Sequence, residues 1–181
     1  DLLDDFVSGM REGGLSVTLK TFPGIGNVSA DVTESIAENT DSLMTIRDTN
    51  FVPYASGIQA GADCVMVSNA AYSKLTVKKV PAFMSQDIVT KLLREELGFD
   101  GIVMTSPLND NVIENNYTNE FAVVEAVKAG CDLIVLPGNF KECYEALITA
   151  VEEGRIDEKV INTSVRRILQ NKIQRGILVL E

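Results

Sequence analysis

The sequence predicts an α/β fold of about four parallel strands alternating with helices. Three observations carry this. Four short runs rich in Val, Ile and Leu lie at 15–20, 63–68, 101–105 and 132–136, and the last three are continuous rather than alternating. That pattern suits strands buried on both faces. Segments of helical periodicity lie between them. Finally, Ala60-Gly61-Ala62-Asp63-Cys64-Val65-Met66-Val67 is echoed by Ala129-Gly130-Cys131-Asp132-Leu133-Ile134-Val135-Leu136. In both, a helix ends at glycine and a strand begins just past an aspartate. Generic loop chemistry gives the same pattern, and either origin implies repeated βα units.

The helices follow in order. Ser85 is placed to cap a helix over 86–97, with Ile88, Leu92, Leu93 and Leu97 on one side and Gly98 as its stop. A second helix spans 119–129 and ends at Gly130; a third spans 140–153 and ends at Gly154. Asp157 caps the last helix, with Ile156 stapled to Ile161. Its apolar stripe is Val160, Ile161, Val165, Ile168, Leu169 and Ile173, and Lys172 and Arg175 suit the negative end of its dipole. The least regular stretches, 21–46, 69–84 and 106–117, each follow a strand. Ligands of α/β folds sit beyond the C-terminal ends of strands, so these loops are where a site is expected.

Composition excludes several functions. The 181 residues are 45% apolar and 23% charged, ordinary values for a globular chain with a sizeable core. No apolar run approaches the roughly 18 residues of a membrane span. The net charge of −10 disfavours nucleic acid as a partner. There is no histidine, which removes Ser-His-Asp and Cys-His catalysis, His-ligated zinc and imidazole proton transfer. Cys64, Cys131 and Cys143 are odd in number without CxxC spacing, so neither a disulfide framework nor a zinc site is expected. Cys64 and Cys131 sit in apolar runs and read as buried thiols. No metal or cofactor is implied. The acidic start Asp1-Leu2-Leu3-Asp4-Asp5 carries no targeting signal and no initiator Met, which predicts a processed chain or a segment of a longer one and leaves the compartment open.

Lys20-Thr21-Phe22-Pro23-Gly24-Ile25-Gly26-Asn27 closes the first strand. It lacks the spacing of a phosphate loop and reads as a tight turn. It also resembles the Lys-His-Phe-Pro-Gly-His-Gly-Asp signature of glycoside hydrolase family 3, of the β-N-acetylglucosaminidase and β-glucosidase type. Further segments are similar in the same order: Pro53-Tyr54 through Val67, Pro81-Ala82-Phe83-Met84-Ser85, Leu92 through Val103, Ala129 through Leu133, and Gly154-Arg155-Ile156-Asp157 through Leu169. The resemblance covers about residues 6–178. It implies the C-terminal half of a TIM-like (β/α) barrel, 1–181 being a partial barrel domain, with a saccharide held by the loops. It also implies a retaining mechanism with a carboxylate nucleophile and a separate proton donor.

The residues that would do this chemistry have changed. Ser106, followed by Pro107, stands where the resemblance puts the nucleophilic aspartate, and serine without a base is a poor glycosyl acceptor. Of the acid/base pair, Asp31 is kept, but Thr33 replaces the histidine. Thr21 and Ile25 replace two histidines of the first motif, Asn27 replaces its aspartate, and Asn69 replaces the histidine ending the next strand. Lys20, Thr21 and Asn69 are the candidate saccharide-binding residues. Thr, Asn and Ser can hydrogen-bond hydroxyls but cannot usefully exchange protons near neutrality. The expected reading is a non-hydrolytic domain that binds a saccharide or supports a cell-envelope protein. Two alternatives stand beside it. One is an active β-glycosidase using Glu34 as a substitute acid, with a partner segment supplying the other carboxylate; Asp110 and Glu114 are further substitute nucleophiles. The other is a purely structural, oligomerising module. Arg94 reads as structural, and Asp100 and Asp132 as turn or cap residues rather than metal ligands. The sequons Asn27-Val28-Ser29, Asn116-Tyr117-Thr118 and Asn162-Thr163-Ser164 carry no weight. Four strands are half of a barrel, so its two open edges and apolar face are expected to be covered by a second copy or by the missing half.

Overall fold

A computed structural model describes residues 2–28 and 30–179. Asp1, and Ser29 of the first sequon, lie outside it. Helix α1 (Leu2–Glu12) leads into strand β1 (Thr18–Phe22). There follow β2 (Glu38–Asn39), α2 (Leu43–Asp48), α3 (Phe51–Gln59), β3 (Cys64–Val67) and β4 (Ala71–Tyr72). A 3-10 turn (Ala82–Met84) and a π-helix (Asp87–Glu96) precede β5 (Ile102–Thr105). Four helices complete the chain: α4 (Asn111–Glu114), α5 (Asn119–Ala129), α6 (Phe140–Glu152) and α7 (Glu158–Gln174).

The main sheet has the order β1-β3-β5, all parallel. Its two faces differ. Leu19, Val65 and Val103 stand in register and are buried, facing the helices. Lys20, Met66 and Met104 stand in register on the other face and are exposed or half-buried. A register shift between Lys20 and Phe22 returns Phe22 to the buried face, opposite Val67. There its ring stacks on Phe51 and meets Tyr54 edge-on, tying β1 to α3. A parallel sheet with helices packed on one side and its other side open is a partial barrel.

The expected fourth strand is reduced. Segment 132–136 runs beside β5 through Leu133 N–H to Val103 O (3.1 Å) and Thr105 N–H to Leu133 O (3.1 Å), but forms only the isolated bridge Met104–Leu133. Leu136 adopts φ 46°, which ends extended backbone, and among the described residues nothing pairs with the far edge of 132–136 or of β1. The helix expected over 86–97 is π-helical, and Ser85 serves it through its carbonyl, which accepts from Ile88 and Val89, rather than through a hydroxyl cap. The ends of α5 follow the sequence closely: Thr118 caps its start and Gly130, at φ 110°, its finish. All three cysteines are free and buried.

Helix α7 departs most from expectation. Asp157 caps it and Ile156 packs in one cluster with Ile161, as the sequence indicates. Yet no residue of α7 is buried, and Val165, Leu169 and Ile173 of its apolar stripe are exposed. The polar face docks instead. Ser164 and Arg167 reach Asp132, and Asn171 and Arg175 reach Asp63. These are the two aspartates of the echoed motif. Each also accepts from a backbone amide near the start of the neighbouring strand, Val17 N–H to Asp63 (2.9 Å) and Val103 N–H to Asp132 (2.9 Å). Each takes a further arginine, Arg11 on Asp63 and Arg94 on Asp132. Asp132 is therefore the hub of a buried ionic network and not merely a turn residue. Burial alone would raise the Asp63 carboxyl, but hydrogen bonds from Arg175 and Val17, with the charge of Arg11, hold it below the usual aspartate value.

Candidate functional site

The C-terminal ends of β1, β3 and β5 open onto one end of the sheet, and the three irregular stretches gather there. The short β2–β4 ladder joins the first loop to the second. Val112 N–H to Thr33 O (2.8 Å) joins the first to the third. The Tyr72 hydroxyl donates to Gly24 O (3.1 Å) and pins the turn after β1.

Within this frame several expected residues meet. Asn69, buried at the end of β3, donates its amide to Asp110 (2.8 Å). Asn111 donates to Glu34 (2.9 Å), carrying that carboxylate against α4. Asp31 is committed within its own loop, since it accepts from both the backbone amide (2.8 Å) and the hydroxyl (2.7 Å) of Thr33. Those bonds hold the exposed Asp31 carboxyl below its usual value. Burial pushes the Asp110 carboxyl above its usual value; the hydrogen bond from Asn69 opposes this, and the charges of Asp31 and Glu34 add to the rise. Three carboxylates thus share one end of the sheet, and Asp110 is the one displaced toward the protonated form.

Ser106 is buried, and its hydroxyl donates to Val67 O (2.9 Å), the same carbonyl that its backbone amide bonds (2.9 Å). That hydroxyl is turned back onto the sheet. Lys20 is exposed on the open face, in register with Met66 and Met104. Thr21 is half-buried, and its carbonyl accepts from Gly24 N–H (2.8 Å), the tight turn expected there. Glu114 is exposed on α4 and Asp100 is exposed ahead of β5. Two residues escaped the sequence reading. Asn111 belongs to the polar run Asn109-Asp110-Asn111 directly after a strand, which is a usable signal. Buried Asn39, which accepts from the Asp41 amide (2.8 Å), has no local signature. Among the described residues no group of three or more His, Cys, Asp or Glu is placed to hold a metal ion. The end of the sheet is therefore equipped with hydroxyl, amide, ammonium and carboxylate groups, the set that recognises polyhydroxylated ligands.

Comparison with known proteins adds to this geometry. The family profile described as the glycosyl hydrolase family 3 N-terminal domain matches residues 1–171. A β-hexosaminidase of Stenotrophomonas maltophilia (strain K279a) is 33% identical over 173 residues, covering 96% of this chain and 48% of the relative. One from Xylella fastidiosa (strain M23) is 33% identical over 131 residues, covering 72% of this chain and 38% of the relative. Among solved structures, a glycoside hydrolase family 3 β-N-acetylglucosaminidase from Paenibacillus sp. str. FPU-7 superposes with a TM-score of 0.92 at 32% identity, over 98% of this chain and 35% of that one. The chain spans less than half the length of these relatives.

Proposed function

We propose, from the premise that this chain belongs to glycosyl hydrolase family 3 through its N-terminal domain, that it binds a saccharide at the loop end of its sheet without hydrolysing it. One observation carries the reading: the hydroxyl of Ser106, the residue that the family resemblance sets in the place of the attacking carboxylate, is bonded to Val67 O. Such a serine offers no charge to an oxocarbenium-like transition state and has no histidine to activate it. Asn69, Thr21 and Lys20 can still bond ligand hydroxyls. The names of the relatives, a β-glucosidase of Rhizobium radiobacter among them, support an N-acetylhexosamine or glucose unit as the ligand. The open edges of β1 and segment 132–136 suit a covering partner, either a second copy or further parallel strands.

The test pairs two measurements on the protein in its natural assembly. Calorimetric titration with N-acetylglucosamine and glucose should show binding at millimolar or lower concentration. Incubation with aryl β-N-acetylglucosaminide and aryl β-glucoside should release no aryl alcohol. Turnover at ~1 s⁻¹ or faster would overturn the reading. Absence of binding would favour a purely structural role.

One observation favours a second reading, a working glycosidase. Asp110 is shifted toward its protonated form beside Glu34, as a proton donor requires. In that case a partner segment supplies the nucleophile, and Glu34→Gln or Asp110→Asn abolishes turnover while Ser106→Ala leaves it intact.

A further inference from the structure

Apart from Phe6 on α1, the exposed aromatic rings among the described residues lie on α5 and α6. Tyr117 and Phe121 stack with ring centroids 5.9 Å apart and planes 6° from parallel. Phe140 and Tyr144 stack at 6.3 Å and 18°. The first pair lies at the start of α5 and the second at the start of α6, and these two helices pack together. Phe121 is 50% exposed, Phe140 72% and Tyr144 55%. Rings of this size are ordinarily covered, so two neighbouring exposed stacks call for an occupant. The cluster adjoins the saccharide end: Tyr117 closes the 106–117 loop that carries Ser106 and Asp110, and its amide donates to Ile113 O (2.9 Å) of α4. Phe140 and Tyr144 also wall an apolar cleft of about 240 Å³ with Ile134 and Pro137, just past segment 132–136.

We propose that the Tyr117–Phe121 and Phe140–Tyr144 stacks form an outer platform for further sugar units of an uncharged, β-linked oligosaccharide whose end lies among Lys20, Thr21 and Asn69. This rests on the saccharide reading above and extends it from a single sugar to a chain. The chemistry of the surroundings selects the occupant. Pyranose rings with equatorial substituents present an apolar C–H face to an aromatic ring and a rim of hydroxyls to polar neighbours. Polar groups neighbour the rings in sequence. Glu120, next to Phe121, interacts with Glu142, Asn139 caps α6 beside Phe140, and Glu145 follows Tyr144. A protein partner would leave those carboxylates buried against apolar surface, at a cost. An anionic glycan would meet three glutamates and be repelled; an uncharged one is not.

The test measures affinity against chain length. Wild-type protein is titrated with N-acetylglucosamine and with its β-1,4-linked dimer, trimer and tetramer, alongside Phe121→Ala and a Phe140→Ala/Tyr144→Ala double variant. Circular dichroism checks that each variant is folded. The expected result is an affinity that rises with length in the wild type and a loss of about tenfold for the tetramer in each variant, with monomer affinity unchanged. Length-independent affinity in the wild type would overturn the platform, and so would a tetramer affinity indifferent to the substitutions. A sedimentation change caused by the double variant would also overturn it, because the rings would then be docking protein. The two readings fail separately: tetramer binding that depends on the rings without any monomer binding supports the platform and sinks the inner site.

Discussion

Replacing Asp132 by asparagine keeps the shape of the side chain and removes its charge. Asp132 is fully buried in its side chain and answers Arg94, Arg167, Ser164 and the Val103 amide together. Arg94 is itself only 10% exposed, so its guanidinium loses its counter-ion where water cannot replace it. Removing one partner of a buried pair costs about 3–5 kcal/mol, because the surviving charge stays desolvated. With a urea dependence of about 2 kcal/mol per molar, the unfolding midpoint should fall by roughly 2 M at an unchanged slope. The control is Glu96→Gln. The Arg47–Glu96 pair has similarly short contacts, at 2.6 Å, but both side chains reach solvent, so its loss should barely move the midpoint. Adding Arg94→Met to Asp132→Asn should restore part of the stability, since the stranded charge is then gone. If Asp132→Asn proves no more costly than Glu96→Gln, the network is ornamental and the account of how α7 docks is wrong.

Two further outcomes are expected. The Asp110 carboxyl is raised in the folded chain, so its contribution favours the fold at low pH and is lost as pH rises through the folded value. Asp110→Asn should therefore melt at an equal or higher temperature than wild type at pH 7, and the difference should vanish near pH 3. Gly101→Ala should lower the urea midpoint by the equivalent of about 1–3 kcal/mol. A Cβ there would lie 2.5 Å from the Asp63 carbonyl oxygen and 2.5 Å from the Phe99 ring, neither of which can readily withdraw.

Much of this architecture is legible in the chain. The runs at 63–68 and 101–105 became β3 and β5 because short unbroken apolar sequence suits a strand, and 15–20, Leu-Ser-Val-Thr-Leu-Lys, became β1 with alternate residues buried. The run at 132–136 has the same composition and forms almost no ladder, since pairing depends on a neighbour on the far side that sequence periodicity does not report. The stripe on α7 misled for a related reason. Apolar spacing shows that a helix has an apolar face, but not whether anything packs on it. What seats α7 is Arg167 and Arg175 meeting aspartates that are 35 and 112 residues away along the chain. No local pattern encodes such a meeting, although the echoed motif marked the receiving end. The loop cluster was readable in position, at the C-terminal ends of strands. The commitment of Asp31 to Thr33 and of Ser106 to Val67 O was not, because hydrogen bonds of single side chains depend on loop backbone that composition leaves open.

The way α7 is fastened also governs how it can move. A helix seated on grease can slide, trading one apolar contact for the next. This one is keyed at two points by residues eight apart, into sockets fixed by the strand starts. A one-residue slip would swing both arginines about 100° away from their sockets together. Helix α7 is therefore either home or released, a bolt rather than a bearing, and letting it go would bare the carboxylates of Asp63 and Asp132.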